Sequence, residues 1–356
     1  MSSLLYLSDA SFSNHSANGI HIARICEALS EKIDVFLLHR GRSKNDLKIF
    51  NHDSTVKRYG TSFFIFDDLR VIYILNLLEL LFRKPKAKIY GRSYFGILIA
   101  FMLGKKIVLE LHDMPKGYIQ NKIFKLLISN KNCLKIVSIT EALREDLCKL
   151  SKKNDISSKI VVFPDGADYF ETTTTHLNSK LAYFGSFYKG KGYKKLAELA
   201  KTFPEFIIDC YGDSSVLSND EISDKPENLF LKGLLPHKQS IKTMGEYAVL
   251  LLPLDEKVEG IGGGDIAKYT SPLKLFEYMA SGRPIVASNR KVFKEVVNED
   301  VVYFVDHEDI DAWARCIKKL IEDPSASKKR GELGKELIEK KYSWNVRARS
   351  ILELYE

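Results

Sequence analysis

The sequence is poor in the features that announce the chemistry of many chains. Its five cysteines, Cys26, Cys133, Cys148, Cys210 and Cys316, stand far apart, with no Cys-x-x-Cys pair and no Cys/His cluster. That spacing argues against a disulfide framework or a zinc site and fits a reducing compartment. No apolar run is long enough to span a bilayer, and the longest, VIYILNLLELLF at 71–82, also contains Asn76 and Glu79. The opening stretch MSSLLYLSDASFSN has no basic start and no long apolar centre, so no signal peptide is expected and the predicted location is cytoplasmic. Gly-x-Ser-x-Gly, a Walker loop and His-Glu-x-x-His are all missing. GIGGG (260–264) lacks the spacing of a dinucleotide fingerprint, and Asp309-x-Asp311 precedes the helical AWARCIKKLI, where helix capping explains it.

What the chain does have is length for two cores and a lopsided charge. At 356 residues two domains of ordinary size are expected. The formal net charge is +8, and all of it lies in residues 1–175, where 26 Lys and Arg face 18 acidic residues. Such a basic half suits an anionic lipid surface, nucleic acid or an anionic glycan, with plain solubility as the competing reading; of these, nucleic acid is not the partner expected.

In chain order, LLYLS (4–8), the loop 9–19, the helix IHIARICEALSEK (20–32) and IDVFLLH (33–39) make a βαβ unit, so a parallel sheet is predicted. The loop carries Asn18 and Gly19 to the carboxyl end of the first strand, where open α/β sheets bind ligands; a simple tight turn at Gly19 is the alternative. Residues 61–88 read as an amphipathic helix ending in Arg83, Lys84, Lys86 and Lys88, able to touch a membrane or to be a core helix with a solvated basic end. IYGRS (89–93) and KIVLELHD (106–113) are two more strands, which bring Arg92, His112 and Asp113 to strand ends where sites form; His15, His21, His39 and His52 have no such setting. KIVSITEALREDLCK (135–149) reads as strand, Thr140 cap and helix, and KIVVFPDGAD (159–168) as a strand. A polar linker, 171–180, then leads to LAYFGSFYKGKGYKKLAELAK (181–201), a strand, a Gly- and Lys-rich loop and a helix. FIIDCYGD (206–213), NLFLKGLLPH (228–237) and YAVLLLPL (247–254) are further strands, the last followed by the Gly-rich loop 255–270 with Asp265.

The most informative stretch is YTSPLKLFEYMASGRPIVAS (269–288). Ser271 is a cap residue and Pro272 a first helical residue; Leu273, Phe276 and Ala280 form one buried face; Gly282 and Pro284 stop the helix before a short strand. The N–H groups of Leu273 and Lys274 at the helix start offer an anion site, and Glu277, one turn deeper, suits a vicinal diol such as a ribose. An ordinary surface helix with a Lys–Glu pair is the competing reading.

SPLKLFEYMASGRPIVAS resembles the signature of the retaining nucleotide-sugar glycosyltransferases of family 4. The resemblance runs over nearly the whole chain and is strongest at 135–288. It implies an α/β GT-B fold of two Rossmann-like domains with parallel sheets and an interdomain cleft. The expected domains are an acceptor-binding 1–170, a nucleotide-sugar-binding 171–341, and a terminal helix, 342–356, crossing back onto the first. It further implies that Glu277 holds the ribose, that Lys191 and Lys274 hold the diphosphate, and that His112 lies near the donor sugar. Gly19, Ser186, Ser271 and Leu273 join the donor-binding set, and Asn18, Arg92 and Asp113 the acceptor or cleft set; His112 and Lys191 are the expected catalytic residues. Two positions depart from the family: Tyr269 stands where the first Glu of the motif is usual, and Ser186 where an Arg usually accompanies the lysine. The expected activity is sugar transfer from a nucleotide-diphosphate sugar to a glycan or lipid-linked acceptor, without metal or cofactor, as in bacterial surface polysaccharide or lipopolysaccharide synthesis. A nucleotide-sugar 2-epimerase of the same fold and a nucleotide-binding pseudo-enzyme are the rival readings, and an anionic membrane surface is a candidate partner.

Overall fold

The computed structural model describes residues 3–10, 17–40, 50, 54–59, 69–150, 156–169, 180–258, 267–269, 271 and 273–356. It divides into two compact units, Met1–Pro164 with Trp344–Glu356, and Asp165–Ser343. The predicted 171–180 linker and the Gly-rich loop with Asp265 fall mostly outside the described residues, as does Pro272.

Unit 1 is a seven-stranded sheet, parallel throughout. Its strands are β1 (Ser3–Leu7), β2 (Asp34–Leu38), β3 (Lys57–Tyr59), β4 (Lys88–Gly91), β5 (Ile107–Leu111), β6 (Cys133–Ser138) and β7 (Ile160–Val162), in the order β3-β2-β1-β4-β5-β6-β7. The helices are α1 (Ala17–Ser30), α2 (Leu69–Arg83), α3 (Tyr94–Met102), α4 (Gly117–Ile128), α5 (Glu141–Leu150) and, from the chain's end, α13 (Trp344–Glu353). Thr140 caps α5, its hydroxyl accepting from the Leu143 N–H at 3.2 Å. Two helices, α3 and α4, have no counterpart in the sequence reading. The apolar GILIAFM lacks a polar face that would mark a helical period, and α4 follows a Pro-Lys-Gly turn. A second difference is at α1, which starts three residues earlier than expected. Asn18 and Gly19 therefore lie in its first turn and not in a loop.

Unit 2 repeats the plan with β8 (Leu181–Phe184), β9 (Ile208–Tyr211), β10 (Leu229–Gly233), β11 (Val249–Leu252), β12 (Ile285–Ser288) and β13 (Val302–Val305), ordered β10-β9-β8-β11-β12-β13 and again parallel. Its helices are α6 (Tyr193–Thr202), α7 (Asn219–Ser223), α8 (His237–Met244), α9 (Leu273–Ser281), α10 (Lys291–Lys294), α11 (Ile310–Glu322) and α12 (Pro324–Leu337). Strand side chains alternate between two apolar clusters. Ala182, Phe184, Leu250 and Leu252 enter one; Leu181, Tyr183, Val249 and Leu251 enter the other. A sheet buried on both faces needs strands that are apolar at every position, which is how VLLL and LAYF read. The expected strand 228–237 ends at Gly233, whose φ of +75° breaks the extended run, and Pro236 leads into α8. Gly282 ends α9 at φ +71°, as expected, and Asp309 caps α11 by accepting from the Ala312 N–H at 2.8 Å.

Both units thus share the doubly wound order in which the sheet reverses direction beside its first strand. The reversal lies between β1 and β4 in unit 1 and between β8 and β11 in unit 2, and ligands bind at the carboxyl edge of such a point.

Candidate functional site

In unit 2 the two loops at the reversal touch through their backbones. Gly190 and Gly192 adopt φ of +86° and +95°; a Cβ on Gly190 would fall 2.1 Å from the Lys257 carbonyl oxygen, and one on Gly192 1.8 Å from that of Pro253. Only glycine permits both the turn and the approach. The Tyr183 hydroxyl braces the same loop, donating toward the carbonyls of Ser186 at 2.8 Å and Lys191 at 3.1 Å. Ser186 contributes this carbonyl to the loop's structure. Lys191 ends the turn immediately before α6, whose cap residue Gly192 has no side chain to satisfy the first-turn N–H groups. Burial pushes the Lys191 ammonium below its usual pKa. Among the described residues no carboxylate pairs with this half-buried lysine, whereas the buried Lys195 is held by Glu198 at 2.7 Å.

The start of α9 supplies a carboxylate. Glu277 is 1% exposed and accepts from Lys274 Nζ at 2.6 Å and from His237 Nε2 at 2.8 Å. Burial alone would raise its pKa, but the Lys274 charge and the His237 hydrogen bond override this and hold it at about 2. Glu277 is therefore an acceptor-only carboxylate at any ordinary pH. Lys274, with about a third of its side chain exposed, is shared between this carboxylate and solvent. Leu273 departs from expectation. Its N–H donates to the Ser271 carbonyl at 3.0 Å, because the chain tightens at the helix entry, so it is not a free anion donor. The Ser271 hydroxyl accepts the Asp165 N–H at 3.1 Å. His237 was not singled out in the sequence, where it reads as the end of a strand.

In unit 1 the reversal is built around Glu110, a charged residue inside the apolar strand IVLEL. One carboxylate oxygen takes Arg347 of α13 at 2.8 Å and the Tyr90 hydroxyl. The other faces His112 and, at 2.9 Å, His21 Nε2. Burial would raise Glu110, but the Arg347 guanidinium and the two imidazoles hold it well below the carboxylate range. Burial, and secondarily the Arg92 charge, lowers His112 to about 3, so its ring is neutral and its Nε2–H points to Glu110. His112 is thus oriented by Glu110 and not by its neighbour Asp113. The latter accepts the Met114 N–H at 2.8 Å and pairs with Lys116 at 2.6 Å, a local turn bond that its position just past the strand favours. Arg92 donates to the Asn18 side chain, joining the β4 end to the first turn of α1, where Gly19 is buried. The sequence pointed to Asn18, Arg92 and His112 but not to Glu110, His21 or Arg347. The only available signal was the single charge in an otherwise apolar strand. His21, Glu110 and His112 also place three ligand-type atoms within 4.8 Å of one another. Arg347 occupies the remaining carboxylate oxygen of that group, which reads as a hydrogen-bonded charge pair.

Residues 170–340, nearly all of unit 2, match the family model described as Glycosyl transferases group 1. Comparison with curated proteins by sequence finds no match. Among solved structures the chain is similar to Anabaena HepE in complex with UDP and glucose, at 13% identity and a TM-score of 0.71, covering 100% of this chain and 99% of that one. It is similar to the sucrose-phosphate synthase of Thermosynechococcus elongatus at 15% identity and 0.72, covering 100% and 98%. It is also similar to the lipopolysaccharide outer core galactosyltransferase WaaB at 13% and 0.64, covering 99% of each chain. These likenesses establish the GT-B fold of two Rossmann-like units.

Proposed function

We propose that this chain, whose second unit matches the group 1 glycosyltransferases, moves a sugar from a nucleoside-diphosphate sugar to a hydroxyl of a glycan or lipid-linked acceptor. The observation that carries the reading is the pairing, in one unit, of a buried ionised Glu277 with an ammonium, Lys191, that is desolvated without a carboxylate partner among the described residues. Glu277 suits the two hydroxyls of a ribose, and Lys191 with the first turn of α6 suits a diphosphate. UDP in the HepE complex is a nucleotide of this kind.

In this account Lys191 matters more as the reaction proceeds, because the departing diphosphate gains negative charge in the transition state. Lys274 adds charge from the start of α9. The acceptor oxygen attacks the anomeric carbon on the face the nucleotide leaves, the bond to the diphosphate breaks, and the acceptor proton passes to the departing diphosphate oxygen. The product keeps the anomeric configuration. Unit 1 holds the acceptor at its reversal point, where Arg92, Asn18 and the neutral His112 stand at the strand ends. Lysines supply the positive charge, so no added metal is required. A place in bacterial surface polysaccharide or lipopolysaccharide synthesis fits the likeness to WaaB.

The test is release of nucleoside diphosphate from a panel of nucleotide sugars with and without added acceptors. Release that depends on acceptor, with a product of retained anomeric configuration, supports transfer. Release without acceptor supports the epimerase alternative.

A further inference from the structure

The outward surface of α2, α3 and α4 combines apolar exposure with positive charge. On α2, Val71, Ile74, Leu75, Leu78 and Phe82 are exposed, a stripe at helical spacing. The opposite stripe, Tyr73, Leu77, Leu80 and Leu81, is buried in unit 1. The helix is therefore apolar on both sides, whereas a helix on a fully solvated surface has a polar outer face.

The neighbouring helices extend the patch. α3 packs against both α2 and α4. At its end Met102 and Leu103 are exposed, and Lys105 Nζ reaches back to the Pro85 carbonyl at 2.7 Å, so the turns that follow α2 and α3 meet. Phe82, 89% exposed, and Met102, 74% exposed, belong to those two ends. On α4, Tyr118, Ile119 and Leu126 are exposed, with Lys122 over the Tyr118 ring at 4.4 Å. Among the described residues eleven of the eighteen exposed large apolar side chains fall within 71–126; the other seven are scattered over 169–234. Residues 69–128 hold eleven Lys and Arg against three acidic residues. Of these three, Glu110 is buried, and Glu79 and Asp113 already pair with Arg83 and Lys116.

We infer that this three-helix face lies on an anionic lipid surface, its apolar stripe entering the headgroup boundary and its lysines meeting the lipid charges. No helix among the described residues is long and apolar enough to cross a membrane, so the attachment is from one side. The alternative occupant, a second copy of this chain, would bring two equally basic faces together, and like charge opposes that contact. Anionic lipid removes the repulsion and covers the same apolar area. The inference does not rest on the proposed activity, although α3 and α4 begin just after Arg92 and Asp113, so the face borders the end of unit 1 assigned to the acceptor.

The experiment is co-sedimentation of the full chain with phosphatidylcholine vesicles, with and without phosphatidylglycerol, at low and high salt. Binding to the anionic vesicles at low salt is expected, falling by about tenfold or more without the anionic lipid or at high salt. The charge variant Lys86→Gln, Lys106→Gln, Lys122→Gln, Lys125→Gln should leave the pellet. The apolar variant Leu75→Ser, Leu78→Ser, Phe82→Ser should bind more weakly and elute at lower salt, with its thermal unfolding unchanged because these side chains are exposed. Wild type remaining in the supernatant with anionic vesicles at low salt would overturn the inference. A wild-type dimer in ultracentrifugation that the apolar variant makes monomeric, with no vesicle binding, would assign the face to a second copy.

Discussion

Glu110 and Glu277 are both fully buried carboxylates held ionised by neighbours, yet the partners around them differ in kind. Glu110 is gripped by Tyr90 of β4, His21 of α1, Arg347 of α13, the last 237 positions away in sequence, and His112 just past its own strand. Glu277 is held by a lysine one turn earlier and a histidine from the adjacent α8, and that lysine is partly in solvent. A carboxylate closed in by three remote partners, its cation fully buried, fixes a fold; one whose cation also meets water can exchange that contact for a ligand. Burial and a depressed pKa do not separate the two cases, whereas the origin and exposure of the partners do.

The largest effect expected from this contrast is in unit 1. Arg347→Met leaves the Glu110 charge buried without its cation, which costs about 3–5 kcal/mol. Scanning calorimetry should show the unit 1 transition moving down while that of unit 2 stays. If both move equally, Glu110 does not act within unit 1 alone. In unit 2, Lys191→Ala removes the charge proposed to stabilise the leaving group and should lower turnover by roughly 10²–10³-fold with every donor tried. An effect confined to one donor sugar would instead place Lys191 at the sugar. Gly192→Ala forces a left-handed residue against the Pro253 carbonyl and should lower the unit 2 transition by about 1–3 kcal/mol, leaving unit 1 as it was.

The smallest and most discriminating effect is the order of acid unfolding. In unit 1, His112 and His39 are held neutral, at about 3 and about 4. Their folded values lie below the unfolded value near 6.5, so the stability they contribute is complete above that value and is lost as pH falls toward 3. Glu277 in unit 2 falls from 4.5 to about 2, so its contribution persists to pH 4.5 and is lost only below. Unit 1 should therefore weaken first between pH 6.5 and 4.5, visible as earlier loss of its amide signals. Simultaneous loss would remove the distinction drawn here.

The proposed donor side was legible in the sequence because its parts are local. Lys191 sits in a glycine turn between a strand and a helix, and Lys274 and Glu277 share one helix face three residues apart. Parallel sheets followed from the strand–helix–strand order that opens the chain. What could not be read were contacts closed by the fold: His237 reaching Glu277 across forty positions, Tyr183 bracing its own loop, and Arg347 returning to Glu110. The α2 stripe was ambiguous for a related reason. Apolar residues stand on two of its sides, with Asn76 and Glu79 between them, so periodicity alone allowed a core helix or a membrane-facing one, and in the structure one apolar side is buried and the other exposed.

Unit 2 is proposed to hold the nucleotide through Glu277. Isothermal calorimetry with uridine, guanosine, adenosine and cytidine diphosphates would find the preferred base, and the same titration on Glu277→Gln and His112→Ala tests the claim. Glu277→Gln should lose about 1.5–3 kcal/mol of nucleotide binding, a charge-assisted hydrogen bond being removed. His112→Ala should bind the sugar-free nucleotide as wild type does. Unchanged affinity in Glu277→Gln would contradict the proposal.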